Sequence, residues 1–315
     1  MQFLKAVRWF GPVLALCSLL AGQAWAKECI GVVPASAQLF WSQVKTGALQ
    51  AGLDADIEIY FRGPIREGSV EVQVQLIDKI VARGCKALVV APSGTEIIAK
   101  VQALKARGIP TIYIDRDVGG AEVQAVIATN NYRAGQLAGQ HLGQALRGKG
   151  RVGVIQMSPA VTSTSERRRG FIQAVREAGL TIVFDQPLGS NPETTFKVLR
   201  DQLPNLDALF TPNGPTTRET HAALLRLQAT DQLLHVGFDT GRVLLDALRA
   251  GQIDALVVQQ PYAMGYQGVR MAERAMREQQ MTTPRRQIEL DAVLVTRERL
   301  DSPEVQALLS MPEKH

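Results

Sequence analysis

Asp115 and Arg116 are the residues whose types and position most clearly predict chemistry. They directly follow residues 111–114, a short apolar run typical of a buried strand. Open α/β sheets bind ligands beyond the carboxyl ends of their strands, where loops converge and helix N-termini offer free N–H groups. A carboxylate beside a guanidinium at such a strand end predicts a site for a polar ligand. The alternative is a structural ion pair at the end of the strand.

Motifs for metal binding, nucleophilic catalysis and dinucleotide binding are missing from the sequence. The four histidines are scattered, and there is no HExxH, no cysteine pair at metal spacing and no GxSxG. Residues 148–153 match GxGxxG, but they end a helical pattern and open a strand, the reverse of the phosphate-binding context. The sequence therefore predicts a binding protein without a cofactor rather than an enzyme. Acid–base catalysis by carboxylates needs no local motif and stays open.

The elements that must position these residues are short apolar runs alternating with amphipathic stretches. Continuous apolar runs are typical of parallel strands covered by helices on both faces, so they predict a doubly wound α/β fold. About ten strands exceed what one compact sheet usually holds, so we predict two sheets with a break near Thr129-Asn130-Asn131. The predicted strands are 30–33, 57–60, 87–91, 111–114, 125–128, 152–156, 181–184, 208–211, 233–238 and 255–258.

One helix start has a recognisable local signature. Ser93 and Glu96 have the spacing of a capping box, in which each side chain accepts from the other residue's backbone N–H. The pattern predicts a helix that begins there and buries a stripe formed by Ile97, Ile98, Val101 and Leu104.

Residues 1–26 have the composition of a cleavable signal peptide. Lys5 and Arg8 precede an apolar run at 13–20, and Ala24-Trp25-Ala26 predicts cleavage after Ala26. A membrane anchor is disfavoured because the run is shorter than the roughly 20 apolar residues of a spanning helix. A lipoprotein is disfavoured because Cys17 lies inside the apolar run, after Leu16 rather than a small residue. We therefore predict export to the periplasm.

The composition and charge of the mature chain bound its class. Removing residues 1–26 takes away two basic residues and no acidic residue, which leaves 33 basic and 30 acidic side chains and a formal charge of +3. This charge is mild and dispersed, whereas nucleic-acid binding normally needs a concentrated basic face. The chain is long enough for two domains with hydrophobic cores, and no nucleic acid is expected as a partner.

Cys29 and Cys85 each precede an apolar strand. In an oxidising compartment, cysteines at the starts of neighbouring parallel strands can form a disulfide, which we favour slightly. The alternative is a pair of buried thiols that pack as small hydrophobic groups.

Several motifs occur in a fixed order along the mature chain: Phe40-Trp41, Ile114-Asp115-Arg116, Arg167 with Gly170-Phe171, Asn213, Gly237-Phe238-Asp239, and Gln259 with Pro261. Together they resemble the periplasmic substrate-binding proteins of the ribose-binding type, relatives of the ligand-binding cores of LacI-type repressors. The resemblance implies two doubly wound lobes that close over a small solute and are joined by a hinge that the chain crosses three times. It implies a first lobe of residues 27–129 and 260–288, and a second lobe of 130–259 and 289–315.

The resemblance also implies roles for individual residues. Asp115 and Arg116 would bind sugar hydroxyls and the ring oxygen from the first lobe, and Phe40 and Trp41 would stack on the sugar. From the second lobe and the hinge, the hydroxyls would be bound by Asn213, Asp239 and Gln259. Arg167 is expected to brace the start of its helix, and Phe238 is expected to lie in the core.

Three further candidate ligand positions depart from the ribose pattern. Gln38 replaces an asparagine, Ser165 stands where a second-lobe arginine is expected, and Ser190 stands where an aromatic residue is expected. Losing a charged donor and a stacking ring disfavours ribose itself. The departures favour another sugar, a sugar-like signal or a bulkier polar solute.

The resemblance implies a non-enzymatic, monomeric periplasmic protein that delivers a small polar solute, expected to be a sugar, to an inner-membrane ABC permease. The alternative is a sensor subunit that presents a sugar-like signal to a membrane histidine kinase or chemoreceptor. Closure would create a docking surface in both cases, so the sequence separates them poorly.

Overall fold

The structure is a computed structural model and describes residues 27–188, 191–278 and 285–309. The described residues form two six-stranded sheets. The paired strands are parallel, except that residues 255–258 and 293–296 pair antiparallel. The predicted fold class, two α/β lobes built on largely parallel sheets, is confirmed.

The first sheet and its helices come from two parts of the chain, residues 29–129 and 261–290. They are β1 (Cys29–Val33), α1 (Leu39–Ala55), β2 (Glu58–Phe61), α2 (Val70–Ala82), β3 (Ala87–Val90), α3 (Ile97–Ala106), β4 (Thr111–Ile114), β5 (Ala125–Thr129), α9 (Pro261–Glu278) and β11 (Arg286–Leu290). The strand order is β11-β5-β4-β3-β1-β2. Helices α1 and α9 cover one face of the sheet, with Val44 and Met264 in the same core cluster. Helices α2 and α3 cover the other face through Ile77 and Ile97.

The second sheet and its helices come from residues 131–258 and 293–309. They are α4 (Asn131–Ala145), β6 (Arg151–Gln156), α5 (Thr162–Glu177), β7 (Thr181–Pro187), α6 (Pro192–Gln202), β8 (Ala208–Phe210), α7 (Gly214–Arg226), β9 (Leu234–Phe238), α8 (Arg242–Arg249), β10 (Ala255–Val258), β12 (Val293–Thr296) and α10 (Pro303–Leu309). The strand order is β12-β10-β9-β8-β6-β7. Phe171, Phe210 and Phe238 lie together in one core cluster. The expectation that Phe238 packs in the core agrees with its complete burial.

Each lobe contains one pair of helices whose backbones pack unusually closely. A Cβ on Gly265 of α9 would lie only 2.0 Å from the Val44 carbonyl oxygen of α1. A Cβ on Gly135 of α4 would lie 1.9 Å from the Arg167 carbonyl oxygen of α5. Only glycine permits such backbone approach, so the α4–α5 contact fixes the helix that carries Arg167.

The chain passes between the sheets after β5, after β10 and after β11, and these three segments are hydrogen-bonded to one another. Thr129 Oγ1 donates to Gln259 Oε1 at 2.9 Å, and the Asn130 backbone N–H donates to the Leu290 carbonyl at 3.0 Å. Gln260 Nε2 donates to the Asp291 carbonyl at 2.8 Å. The segments form one narrow, paired connection, while the exact lobe boundaries given above stay predictions.

One local prediction is wrong and one is confirmed. Helix α3 begins at Ile97 after Glu96, and no side chain caps it. Instead, the Ser93 backbone N–H donates to Gln73 Oε1 at 2.9 Å, so tertiary packing replaces the predicted capping box. Cys29 and Cys85 form a disulfide with their Cα atoms 4.3 Å apart, as predicted.

The last two strands were not predicted from apolar runs. Strand β11 is an edge strand of the first sheet, and its first two residues are exposed. Strand β12 is an edge strand of the second sheet and pairs antiparallel with β10. The predicted signal peptide and the Cys17 alternative lie outside the described residues. Across the described ranges, no helix is both long and apolar enough to cross a membrane.

Candidate ligand-binding site

A cavity of about 60 Å³ lies between the two sheets, at the carboxyl ends of strands from both lobes. Its lining includes eight residues predicted from the sequence: Gln38, Phe40, Trp41, Asp115, Arg116, Asn213, Asp239 and Gln259. The topology explains the convergence, because parallel strands direct their following loops to one edge of each sheet. The two lobes are in contact near the cavity, because a Cβ on Gly241 of the second lobe would lie 2.7 Å from Leu39 Cδ2 of the first lobe.

Arg116 lies between two carboxylates of the first lobe. Its Nε donates to Asp115 Oδ2 at 3.1 Å, and its Nη2 forms an ion pair with Glu67. Burial raises the pKa of Asp115, although Arg116 and Arg167 oppose that effect. For Arg116, burial lowers the pKa, but Glu67 and Asp115 outweigh it and leave the pKa raised. The guanidinium therefore stays charged and is largely committed to protein acceptors.

Asp115 has an uncommon backbone conformation directly after strand β4. Its φ of +65° is in the left-handed region, which few non-glycine residues adopt. The backbone is held there because the Asp115 N–H donates to the Ile127 carbonyl at 2.9 Å. Strain of this kind recurs at functional sites, and Asp239 shows the same feature with φ of +66°.

Asn213, Asp239 and Gln259 form a connected polar wall on the second lobe and hinge. Asn213 caps α7, accepting from the Thr216 backbone N–H at 3.1 Å. Asp239 accepts from the Gly214 backbone N–H at 2.7 Å and from Gln259 Nε2 at 2.5 Å. These bonds fix the orientation of each side chain that faces the cavity, and such pre-organisation favours binding of a polar solute.

Arg167 lines the cavity, which the sequence interpretation missed. Helix α5 begins at Thr162, so Arg167 lies inside the helix rather than bracing its start. Its Nε donates to Asn131 Oδ1 at 2.8 Å, its Nη1 donates to the Pro212 carbonyl at 2.8 Å, and its Nη2 donates to Gln259. Burial lowers the pKa of Arg167, while Asp239 and Asp115 act in the opposite direction.

Ser165 is not brought to the cavity. Its Oγ donates to the Pro159 carbonyl at 3.0 Å, and the cavity is lined instead by its neighbours Ser163, Thr164 and Arg167. Arg167 and Arg218 line the cavity from the second lobe, so a serine at position 165 does not leave that wall without a guanidinium. Ser190 lies outside the described residues.

The two aromatic residues at the start of α1, Phe40 and Trp41, differ in how far they are buried. Trp41 is 4% exposed and belongs to the first-lobe core, whereas Phe40 is half-buried beside the cavity. Their ring centroids are 4.9 Å apart and their ring planes meet at 84°, which is the edge-to-face arrangement that aromatic pairs prefer. Phe40 is thus the more accessible ring for stacking on a solute, and Trp41 supports it.

The lining also contains Glu67 and Arg218, which no sequence motif marked. Glu67 comes from the loop after β2, and Arg218 comes from α7. Both look like ordinary surface charges in sequence, and only the tertiary fold brings them to the cavity. Among the described residues, no group of three histidine, cysteine or carboxylate side chains could hold a metal ion.

The sequence pattern of the periplasmic binding protein domain family matches residues 30–280. The chain belongs to this family. Its resemblance to the ribose-binding type is confirmed by relatives whose lengths it nearly spans. The D-apiose import binding protein of Paraburkholderia graminis is 25% identical over 303 residues, which cover 92% of this chain and 95% of the relative. The ribose import binding protein of Escherichia coli is 24% identical over 281 residues, covering 87% and 93%.

Solved structures of this periplasmic binding family have the same architecture. A solute-binding protein of Agrobacterium vitis with bound D-fucose superposes with a TM-score of 0.81 at 28% identity, covering 88% of this chain and 98% of that one. A carbohydrate transporter solute-binding protein of Agrobacterium radiobacter, in complex with D-arabinose, gives a TM-score of 0.82 at 25% identity, covering 91% and 100%.

Proposed function

We propose that this protein captures one small sugar between its two lobes in the periplasm and delivers it to an ABC importer. The observation that carries the proposal is the convergence of Asp115, Arg116, Asn213, Asp239 and Gln259 on one cavity beside the ring of Phe40. Vicinal hydroxyls of a sugar both donate and accept, so they match a wall of carboxylates, amides and guanidinium groups. The C–H face of a sugar matches an aromatic ring.

The family context supports both the solute class and the compartment. Relatives named for apiose and ribose import, and structures with bound D-fucose and D-arabinose, share this fold over most of the chain. The predicted signal peptide would place the mature chain in the periplasm, where an oxidising environment favours the Cys29–Cys85 disulfide. In this role the protein binds and releases its solute without turnover.

The test is a thermal-shift screen of the mature protein against pentoses, hexoses, deoxysugars, sugar acids and polyols, with amino acids as the comparison class. A sugar at 100 times its dissociation constant should stabilise the fold by about 2.7 kcal/mol. Titration calorimetry of each hit should give one solute per chain. Stabilisation by amino acids and by no sugar would contradict the proposal.

Delivery to a histidine kinase or chemoreceptor stays an alternative prediction. It shares the binding step with the importer role, so the screen does not separate the two. Sugar uptake by a strain lacking the gene separates them, because an importer component is needed for uptake and a sensor subunit is not.

A further inference from the structure

Three guanidinium groups line the cavity, and they differ in how far protein acceptors already occupy them. Arg116 is bonded to Asp115 and paired with Glu67. Arg167 donates through Nε, Nη1 and Nη2 to Asn131, Pro212 and Gln259. Both groups keep N–H donors for neutral acceptors such as hydroxyls, but the charge of Arg116 is already balanced by Asp115 and Glu67, and every nitrogen of Arg167 already donates to the protein.

Arg218 differs from both of them. It is half-buried in the cavity lining, and no described residue forms an ion pair or hydrogen bond with its guanidinium. A partly exposed guanidinium without a protein acceptor keeps its N–H donors and its charge available to a ligand that enters the cavity. The position of Arg218 therefore points to an acceptor that a solute would supply.

Gly214 allows Arg218 and Asp239 to lie on the same part of the lining. A Cβ at Gly214 would lie 3.1 Å from both Arg218 Nη1 and Asp239 Oδ2, so a side chain here would crowd both charged groups. The guanidinium and the carboxylate can therefore both reach the cavity only because residue 214 has no side chain. Asp239 itself is already bonded by the Gly214 N–H and by Gln259, and Arg167 lies close enough to be influenced by its charge.

The charges on the two walls of the cavity are arranged asymmetrically. The first-lobe wall carries two carboxylates, Glu67 and Asp115, and one guanidinium, Arg116. The second-lobe wall carries two guanidinium groups, Arg167 and Arg218, and one carboxylate, Asp239. Hydroxyl groups donate well to the first wall, and an anionic group is best accommodated at the second.

We infer that the solute is a sugar acid, an aldonate or a uronate, whose carboxylate pairs with Arg218. This inference rests on the proposed sugar-binding function and narrows it to acidic sugars. A guanidinium matches a carboxylate in a planar, bidentate arrangement that an ammonium does not reproduce. Arg218 thereby becomes a residue that determines specificity.

The test is titration calorimetry at low ionic strength with matched pairs: D-galactose and D-galacturonate, D-glucose and D-glucuronate, D-arabinose and D-arabinonate. In at least one pair, the acid should bind at least tenfold more tightly than its neutral partner. Arg218→Gln should reduce that ratio at least fivefold, and Arg218→Lys should restore only part of it. Arg226→Gln is the matched control, because Arg226 is an exposed arginine on the same helix, paired with Glu193. It should keep the full ratio, and circular dichroism should show that all variants are folded.

The outcomes separate this inference from the proposed function. If the neutral sugar of every pair binds as tightly as the acid or more tightly, the proposed function stands and the acidic solute is excluded. If Arg218→Gln weakens acid and neutral sugar equally, Arg218 only balances Asp239 and the inference fails. If amino acids bind and no member of any pair does, both the inference and the sugar-binding function are contradicted.

Discussion

At the scale of single residues, substitutions of Asp115 and Arg116 should affect different properties. Asp115 should matter most for solute binding, and Arg116 should matter most for the stability of the fold. Asp115 faces the cavity with one oxygen bonded to Arg116, and Arg116 is in turn neutralised by both Asp115 and Glu67. Removing a ligand-facing acceptor and removing the shared cation therefore have different consequences. Removing the Arg116 guanidinium should destabilise the fold, because buried Asp115 and partly buried Glu67 would both lose their counter-charge.

Asp115→Asn should weaken binding of the sugar identified by the screen by about 1–3 kcal/mol. The amide keeps the shape of the side chain but replaces a charged acceptor with a weaker one. Titration calorimetry measures the change, with Asp78→Asn on the exposed face of α2 as the control. Equal affinities for the wild type and the Asp115 variant would move the site elsewhere.

Arg116→Met should lower the free energy of unfolding of the ligand-free protein by about 3–5 kcal/mol, because a buried pair that loses one partner leaves an uncompensated charge. Adding Glu67→Gln should recover part of the loss by removing one of the two stranded carboxylates. Urea unfolding at pH 7.5 measures both variants. A double variant no more stable than the single one would show that Glu67 and Arg116 are not coupled.

At the scale of elements, a buried polar network joins β8, α7 and β9 behind the second-lobe wall. Thr211 Oγ1 lies 2.9 Å from both Thr217 Oγ1 and His235 Nε2. Thr217 Oγ1 donates to the Asn213 carbonyl at 2.7 Å and accepts from the Phe238 backbone N–H at 3.0 Å. The network therefore fixes the loops that carry Asn213 and Asp239.

The network makes stability depend on pH through His235. Burial and the nearby His221 lower the pKa of His235 to about 3, so the unfolded chain takes up a proton below pH 6.5 that the folded chain does not. The free energy of unfolding should then fall as pH decreases, by about 2 kcal/mol between pH 7.5 and 5.0 from this residue. Urea unfolding at both pH values should show that His235→Gln loses about that much less than the wild type. An equal loss in the two proteins would contradict the buried neutral histidine.

The disulfide ties the starts of β1 and β3 across a sequence separation of 56. Constraining an unfolded chain over this length should stabilise the fold by about 4 kcal/mol. Cys29→Ser with Cys85→Ser should lower the urea midpoint accordingly, and dithiothreitol should then have no further effect. Two free thiols in alkylated, unreduced mature protein would refute the bond.

The sequence predicts some elements better than others for physical reasons. Strands buried on both faces are continuous apolar runs, so β3, β4 and β10 are visible without a structure. Strand β11 lies at a sheet edge and contains three exposed polar residues, so it has no continuous apolar run. Its pairing partner, β5, is distant in the sequence. The capping box at Ser93 fails because Gln73, a buried residue 20 positions away, binds the Ser93 backbone instead.

At the scale of the whole molecule, the candidate site is divided between halves that the chain connects three times. Glu67, Asp115 and Arg116 belong to loops of the first sheet, and Asn213 and Asp239 belong to loops of the second. Residues at strand ends could be predicted from the sequence, because a strand end specifies where a side chain emerges. Glu67, Arg167 and Arg218 could not, because their approach depends on helix packing and on the angle between the lobes.

A solute that contacts both walls favours the closed arrangement, because only that arrangement provides all of its contacts. The paired segments at Thr129, Asn130 and Gln260 are the hinge around which the lobes would rotate. Capture of a solute between two moving lobes changes the shape of the whole molecule, so a measurement of shape tests it independently of any single contact.

The direct measurement is small-angle X-ray scattering of the mature protein with and without a saturating concentration of the sugar found by the screen. We expect a smaller radius of gyration when sugar is bound. We also expect that Asp78→Asn contracts like the wild type, and that Asp115→Asn needs more sugar for the same contraction. An unchanged radius of gyration at saturation, with binding verified by calorimetry in the same sample, would contradict capture by lobe closure.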